Sequence, residues 1–256
     1  MNKTKIKLSV PLNWQEDFIA KFPNATIVEL YGRLNCDFVG GSSICNTVTG
    51  PFFSKKKLAS YIIQIHKQGL KFNYVLDGTC LDNLEWTRSG QRKIRSFLDW
   101  LVKAQTDSIT VSIPYLVELI RKCYSNLKVE VSQFAEVDTI QRARRWLDLG
   151  VDVVTLAPYI VRDLELLKII RNNLDCQLQL IVNDSSLASC ISYSYYANRN
   201  THLSQIFHRS RGSLPPSCES QVVDNTINSQ RIKPEDINIY EEIAEFFSEF
   251  DLMRVA

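Results

Sequence analysis

The 256-residue chain lacks any apolar run approaching 18 residues, so no transmembrane helix is expected. Its basic N-terminus, MNKTKIKLSV, has an apolar stretch only as long as a strand, and the polar Asn13, Gln15, Glu16 and Asp17 follow at once. A secretory leader needs a longer apolar block and a small-residue cleavage site, so the chain is expected to be cytoplasmic. Charge of one sign is missing too. Thirty basic and 28 acidic residues leave a net charge of +2, which gives no bulk argument for nucleic acid. Lys55–Lys57 and Arg142–Arg145 are short basic runs that read as solvated helix faces. No GxGxxG opens the chain, and there is no P-loop, HExxH or GxSxG elbow. Of the three histidines, His66 falls in a helical stretch, and only His202 and His208 share a loop with Ser186, Cys190 and Cys218. No third, orienting group is fixed, so the pattern completes no triad. The seven cysteines are scattered and odd in number, unlike a secreted disulfide framework. Cys123 and Cys176 read as small buried hydrophobes.

What is present is alternation. Strand-like runs occur at 5–10, 25–31, 71–76, 108–113, 128–134, 151–156, 177–183 and 250–255, and helical patterns at 54–69, 89–105, 114–125, 138–149, 163–174 and 235–248. In 89–105, Ile94, Phe97, Leu98, Leu101 and Val102 fall on one face, and Thr87 or Ser89 can cap the start. The helix from Asp138 ends at Gly150, suited to a left-handed C-cap. Such βα alternation implies a parallel sheet covered by helices. Eight strands in about 250 residues favour closure into a single (β/α)8 TIM barrel, one domain over 1–256.

Two connections are longer than α/β loops usually are: 32–53 after strand 2, and 184–234 after strand 7, the second read as a lid. Both leave the C-terminal ends of strands, the face that carries active sites in this fold. The first connection, 13–22, is short, and no eighth helix is clear. A homo- or hetero-oligomeric partner covering that flank is therefore expected.

Strand alternation selects side chains for the barrel mouth. Glu29 and Tyr31 share a face of strand 2, and Asn73 and Asp77 share one of strand 3. Asn83 and Glu85 follow in the next loop, Ser132 ends strand 5, Asn183 ends strand 7 and Arg254 ends strand 8. Glu29 and Asp77 are expected to divide acid and base roles, and Arg254 to clamp a substrate carboxylate or phosphate. Tyr31, Asn73, Asn83, Glu85, Ser132, Asn183, His202 and His208 are the expected substrate-binding set.

The blocks KFNYVLDGTCLDNLEWTRSGQRKIRSFLDWL, ITVSIPYLVELI, VSQFAEVDTIQRARRWLDLGVDVVTL, LQLIVND and RIKPEDI resemble the collagenase-like peptidase family of unknown catalytic type, over roughly residues 25–255. The resemblance implies a (β/α)8 barrel and an enzyme acting on a peptide or a small biosynthetic intermediate. Asp77 stands where that family commonly has asparagine. Related members resemble oxygen-independent hydroxylases of tRNA, rRNA or ubiquinone precursors, which hold an iron–sulfur cluster by four cysteines after strand 7. Against their N-x-x-C-x-x-x-C loop, Asn183 aligns, Ser186 replaces the first cysteine and Cys190 matches the second. Cys218 follows in PPSCES. A 4Fe–4S cluster normally takes four thiolates, so Cys190 and Cys218 would need completion from Cys36, Cys45 or Cys80. Three readings stay open: a peptidase-like enzyme, a non-catalytic or partner-dependent barrel, and a cluster hydroxylase.

Overall fold

In the computed structural model the described residues are 7–12, 27–42, 54–182, 191–206 and 252–254. Eight strands follow one another: β1 (Lys7–Pro11), β2 (Ile27–Gly32), β3 (Lys71–Leu76), β4 (Ser108–Val111), β5 (Lys128–Val131), β6 (Val153–Thr155), β7 (Gln177–Ile181) and β8 (Leu252–Arg254). Each pairs in parallel with its neighbours, and β8 pairs back onto β1 through Lys7–Leu252, Leu8–Met253 and Ser9–Arg254, so the ring is closed. The strand centres agree with the sequence pattern.

Six α-helices lie among the described residues: α1 (Lys55–Lys67), α2 (Arg88–Lys103), α3 (Pro114–Cys123), α4 (Ile140–Asp148), α5 (Leu164–Asn173) and α6 (Tyr193–Leu203). Local chemistry sets their starts. The side chains of Ser54, Thr87, Thr139 and Asp163 accept the amides of Lys57, Gly90, Arg142 and Leu166, and Pro114 supplies a preset φ at the first turn of α3. Gly150 closes α4 at φ +93, as its position predicts. Helix α2 buries Ile94, Phe97, Leu98 and Leu101, whereas Val102 is 44% exposed and falls off the buried face. Cys123 is exposed and Cys176 half-buried, so neither is the fully buried small hydrophobe expected. Helix α6 occupies part of the 184–234 segment expected as a loop, and its C-terminal end bonds to the segments after β2 and β3. The helix expected at 235–248 and the connection 13–22 lie outside the described residues.

The two faces of each strand differ sharply. Phe72, Tyr74, Leu76, Ile109, Val111, Val129, Val131, Leu178 and Leu180 join one apolar cluster with the helices. The alternate positions are also buried but largely polar: Ser9, Glu29, Asn73, Ser108, Thr110, Glu130, Ser132, Thr155 and Gln179. Ser108 Oγ of β4 donates to Glu29 Oε2 of β2 at 3.1 Å, skipping β3, and a bond that skips a strand closes through the barrel lumen. Ser9 Oγ donates to Glu29 Oε1 at 2.6 Å, Thr110 Oγ1 to Asn73 Oδ1 at 2.8 Å, and Thr155 Oγ1 to Gln179 Oε1 at 2.8 Å. Barrel interiors are more often filled by bulky branched side chains. Here hydrogen bonds replace part of that packing, and each buried partner depends on its mate. Glu29→Gln replaces one of two carboxylate oxygens, each the acceptor of a different buried hydroxyl, with an amide donor. It should lower the unfolding free energy by about 1–3 kcal/mol, read from the urea midpoint, while leaving any activity of the folded protein intact.

Candidate active site

The segment after β2 folds back over the C-terminal rim, and one aspartate organises it. Asp37 Oδ1 accepts the amides of Val39 (2.9 Å) and Gly40 (2.7 Å). Its Oδ2 accepts Arg33 Nη2 at 2.8 Å and Tyr74 Oη at 2.9 Å. The Tyr74 hydroxyl in turn accepts the Leu34 amide at 3.1 Å. Arg33 and Asp37 are 3% and 1% exposed, so this ion pair is buried and its groups are held by hydrogen bonds on several sides. Burial works against the Arg33 charge, but Asp37, with Tyr74 and Asp77, more than offsets it and holds the guanidinium firmly protonated. Burial, and next the Asp37 charge, push the Tyr74 hydroxyl well above its ordinary range, so it remains a neutral donor.

Asp77 stands directly after β3, 2% exposed. Its Oδ1 accepts the Ser42 amide at 2.7 Å and its Oδ2 the Ser132 hydroxyl of the β5 end at 3.1 Å. The Ser112 hydroxyl donates to its backbone carbonyl at 3.0 Å. One side chain thus ties the ends of β3 and β5 to the segment after β2. Gly41 permits the approach: at φ +152, a Cβ there would lie 2.1 Å from Asp77 Oδ1. Burial raises the Asp77 carboxyl above the usual carboxylate range. The Ser42 amide, Arg33 and the Ser132 hydroxyl pull it back without cancelling the rise.

Helix α6 seals the outer side. Ser204 Oγ accepts Arg33 Nη1 at 3.1 Å and the Gly41 amide at 2.9 Å. Gln205 Nε2 donates to the carbonyls of Val39 (2.9 Å) and Cys80 (2.7 Å), and its Oε1 meets His202 Nδ1 at 3.0 Å. The Thr79 amide donates to Thr201 Oγ1 at 3.0 Å. Gly40, at φ +75, lets α6 come close, since a Cβ there would lie 2.2 Å from the Thr201 carbonyl oxygen.

Of the residues expected at the mouth, Asp77 and Ser132 meet directly, and His202 reaches the network's edge through Gln205. Glu29 does not join them. It is in register with Lys71, and Asp77 lies six residues further along, roughly 20 Å at strand rise. The Glu29 carboxyl is occupied at the opposite, N-terminal end of the lumen, so no Glu29–Asp77 acid–base pair exists in this arrangement. Tyr31 and Asn73 are fully buried in register within the lumen. Asn83 is exposed at φ +59 in the turn after β3, and Glu85 is half-buried, its field felt by Tyr115; neither enters the Asp77 network. Arg254 ends β8 in register with Ile181 and Ser9. Asn183, His208, Cys45, Cys190 and Cys218 lie outside the described residues. Among the described residues no group of three or more His, Cys, Asp or Glu could hold a metal, and Cys80 Sγ accepts the Asp82 amide at 3.4 Å. The described residues alone supply no such ligand set.

The residues missed were Arg33, Asp37, Ser42, Tyr74, Ser204 and Gln205. The available signal was the i, i+4 pair of opposite charges ahead of Gly40–Gly41 in GRLNCDFVGG.

A closed parallel barrel with a charged hydrogen-bonded rim at the C-terminal ends of its strands is an α/β barrel whose polar network lies on the face that carries active sites in this fold. Comparison with known proteins narrows the class. The model described as Peptidase family U32 matches residues 39–223, so the chain belongs to that family. It is 27% identical over 201 residues to an uncharacterized protease of Methanocaldococcus jannaschii. The match covers 74% of this chain and 58% of that protein, so the chain spans little more than half of its relative's length. A solved U32 peptidase structure superposes with a TM-score of 0.73 at 19% identity, covering 98% of this chain and 92% of that one, which supports the fold. Among the described residues no helix is long and apolar enough to cross a membrane.

The raised pKa of Asp77 makes stability depend on pH. A carboxyl whose folded value exceeds its unfolded one binds more protons when folded, so its contribution favours folding below the ordinary value of 3.8 and is lost as pH rises through the folded value. Asp77→Asn, which mimics the protonated form, should therefore be no less stable than wild type at acid pH. It should become relatively more stable as pH rises above 3.8, measured as the difference in Tm across a pH series.

Proposed function

We propose that the chain is a peptidase-like enzyme that acts on a peptide or small biosynthetic intermediate at the C-terminal mouth of the barrel, with Asp77 as its acid–base group. The observation that carries this reading is the Asp77–Ser132 pair: a buried carboxyl of raised pKa, hydrogen-bonded to a hydroxyl, beside a guanidinium that stays charged. A carboxyl shifted toward neutrality is better matched to proton transfer near pH 7 than an ordinary one. The Ser42 amide and the Ser132 hydroxyl fix its orientation, and Arg33 acts on it through its charge. Gly41 and Ser42 lie against it, so substrate access requires the Ser42 amide to release Asp77 Oδ1.

A second reading, a non-catalytic or partner-dependent barrel, is favoured by one specific fact: both Asp77 oxygens are already occupied within the chain. In that reading Asp77 is a clasp, and a homo- or hetero-oligomeric partner supplies the chemistry.

Cleavage of a fluorogenic peptide library by the purified chain, with sizing by light scattering, separates the two. Asp77→Asn should cut kcat/KM about a hundredfold or more with Tm no lower than wild type at pH 7. Ser132→Ala should lose activity in the same direction. Wild-type rates in Asp77→Asn would reduce the residue to scaffold. Turnover appearing only in an oligomeric fraction would support the second reading.

A further inference from the structure

Outside the mouth, on the helical layer, a groove of about 420 Å³ runs along α4 from the turn after β5. Ala135, Trp146 and Leu149 give it an apolar lining, and Arg142, Arg145 and Glu136 supply its charges. The volume lies within the range of small-ligand sites, which are mainly apolar with a few placed polar groups.

The charges are not equivalent. Arg142 is committed: it pairs with Asp138 at 3.2 Å and donates to the Glu136 carbonyl. Glu136 is committed as well, its Oε1 accepting the Ser194 hydroxyl of α6 at 2.6 Å. That leaves the exposed Arg145, which makes no ion pair or hydrogen bond among the described residues. Trp146, only 8% exposed, is fixed in the helical core, so the apolar wall beside this guanidinium is rigid. Glu136 itself sits at φ +49, ψ +49, a left-handed conformation uncommon for a residue with a side chain. Its bond to α6 and its carbonyl bond from Arg142 hold the groove's upper end in that shape.

From this arrangement we infer that the α4 groove is a binding site for a hydrophobic carboxylate, its apolar body against Trp146, Leu149 and Ala135 and its carboxylate paired bidentately with Arg145. Two planar N–H groups match two carboxylate oxygens. The same chemistry is presented by the C-terminal residue of a hydrophobic peptide and by a free aryl or alkyl acid. Neither the Asp77 network nor the peptidase-like reading is needed for this site to exist.

Isothermal titration of the full chain with N-acetylphenylalanine, 3-phenylpropionate and N-acetylphenylalanine amide tests it. Both acids should bind, and the neutral amide should bind at least about tenfold more weakly. Arg145→Met should weaken both acids about tenfold, leave the amide unchanged and leave Tm unchanged, because Arg145 is exposed. Ala135→Trp should fill the groove and remove binding of all three. Tighter binding of N-acetylphenylalanine than of 3-phenylpropionate assigns the peptide terminus, and the reverse order assigns a free organic acid. Equal binding of acid and amide, unaltered acid affinity in Arg145→Met, or binding that survives Ala135→Trp would each overturn the proposal.

Discussion

Three short pairings between β8 and β1 hold the ring shut, and everything at the rim depends on them. Closure turns the inward face of every strand into an enclosed space with little access for water. Polar side chains placed there must find partners among themselves. The pairing Ser9–Arg254 lies beside Ser9–Glu29, so the strand that completes the ring also walls the Glu29 carboxyl from solvent. An open sheet would expose Glu29, Asn73, Glu130 and Gln179 along one face, and their hydroxyl partners would compete with water. Bonds such as Ser108–Glu29 and Ser132–Asp77, which reach over an intervening strand, have a physical route only because the sheet curls back on itself.

The same geometry explains what the sequence could and could not reveal. Periodicity identified the strands and all of α1 to α5, because alternate residues face apolar helices and the helices carry one apolar stripe. Alternation correctly turned Glu29, Asn73 and Asp77 inward. It carries no information on height, and that is where Glu29 was misplaced. Strands of a barrel are tilted and staggered, so two inward residues share a level only when the register is known. The register Glu29–Lys71 puts the first at the floor and leaves Asp77 at the rim. Val102 failed for a related reason: a residue at the margin of a helical stripe is buried or exposed according to what packs beside it.

The rim network escaped because its partners are far apart in sequence and its segments have no period. Arg33 meets Ser204 across 171 residues, and Val39 meets Gln205 across 166. Neither GRLNCDFVGG nor THLSQ displays a hydrophobic repeat that would signal the contact. Only the Gly40–Gly41 pair, which relieves the approach of Thr201 and Asp77, and the i, i+4 charges mark the first segment as structured rather than loose. Family resemblance supported the barrel but could not reveal that Asp77 is held by the Ser42 amide of the preceding β–α connection.

That bond bears on why aspartate is tolerated at a position where the family resemblance implies asparagine. An asparagine there could accept the Ser42 amide through its carbonyl and, through its amide nitrogen, donate to the Ser132 hydroxyl with the direction of that bond reversed. It would do so without a buried charge. Aspartate accepts both bonds but carries the desolvation cost of its ionised form, which Arg33 offsets only in part. A chain that keeps the costlier residue either draws on its acidity or has compensated for it through the Arg33–Asp37–Tyr74 cluster. The cluster is built to hold one cation between two aspartates, with Asp37 binding it directly and Asp77 acting on it through the field. Removal of the Asp77 charge leaves Arg33 paired with Asp37, so the cluster itself does not depend on that charge.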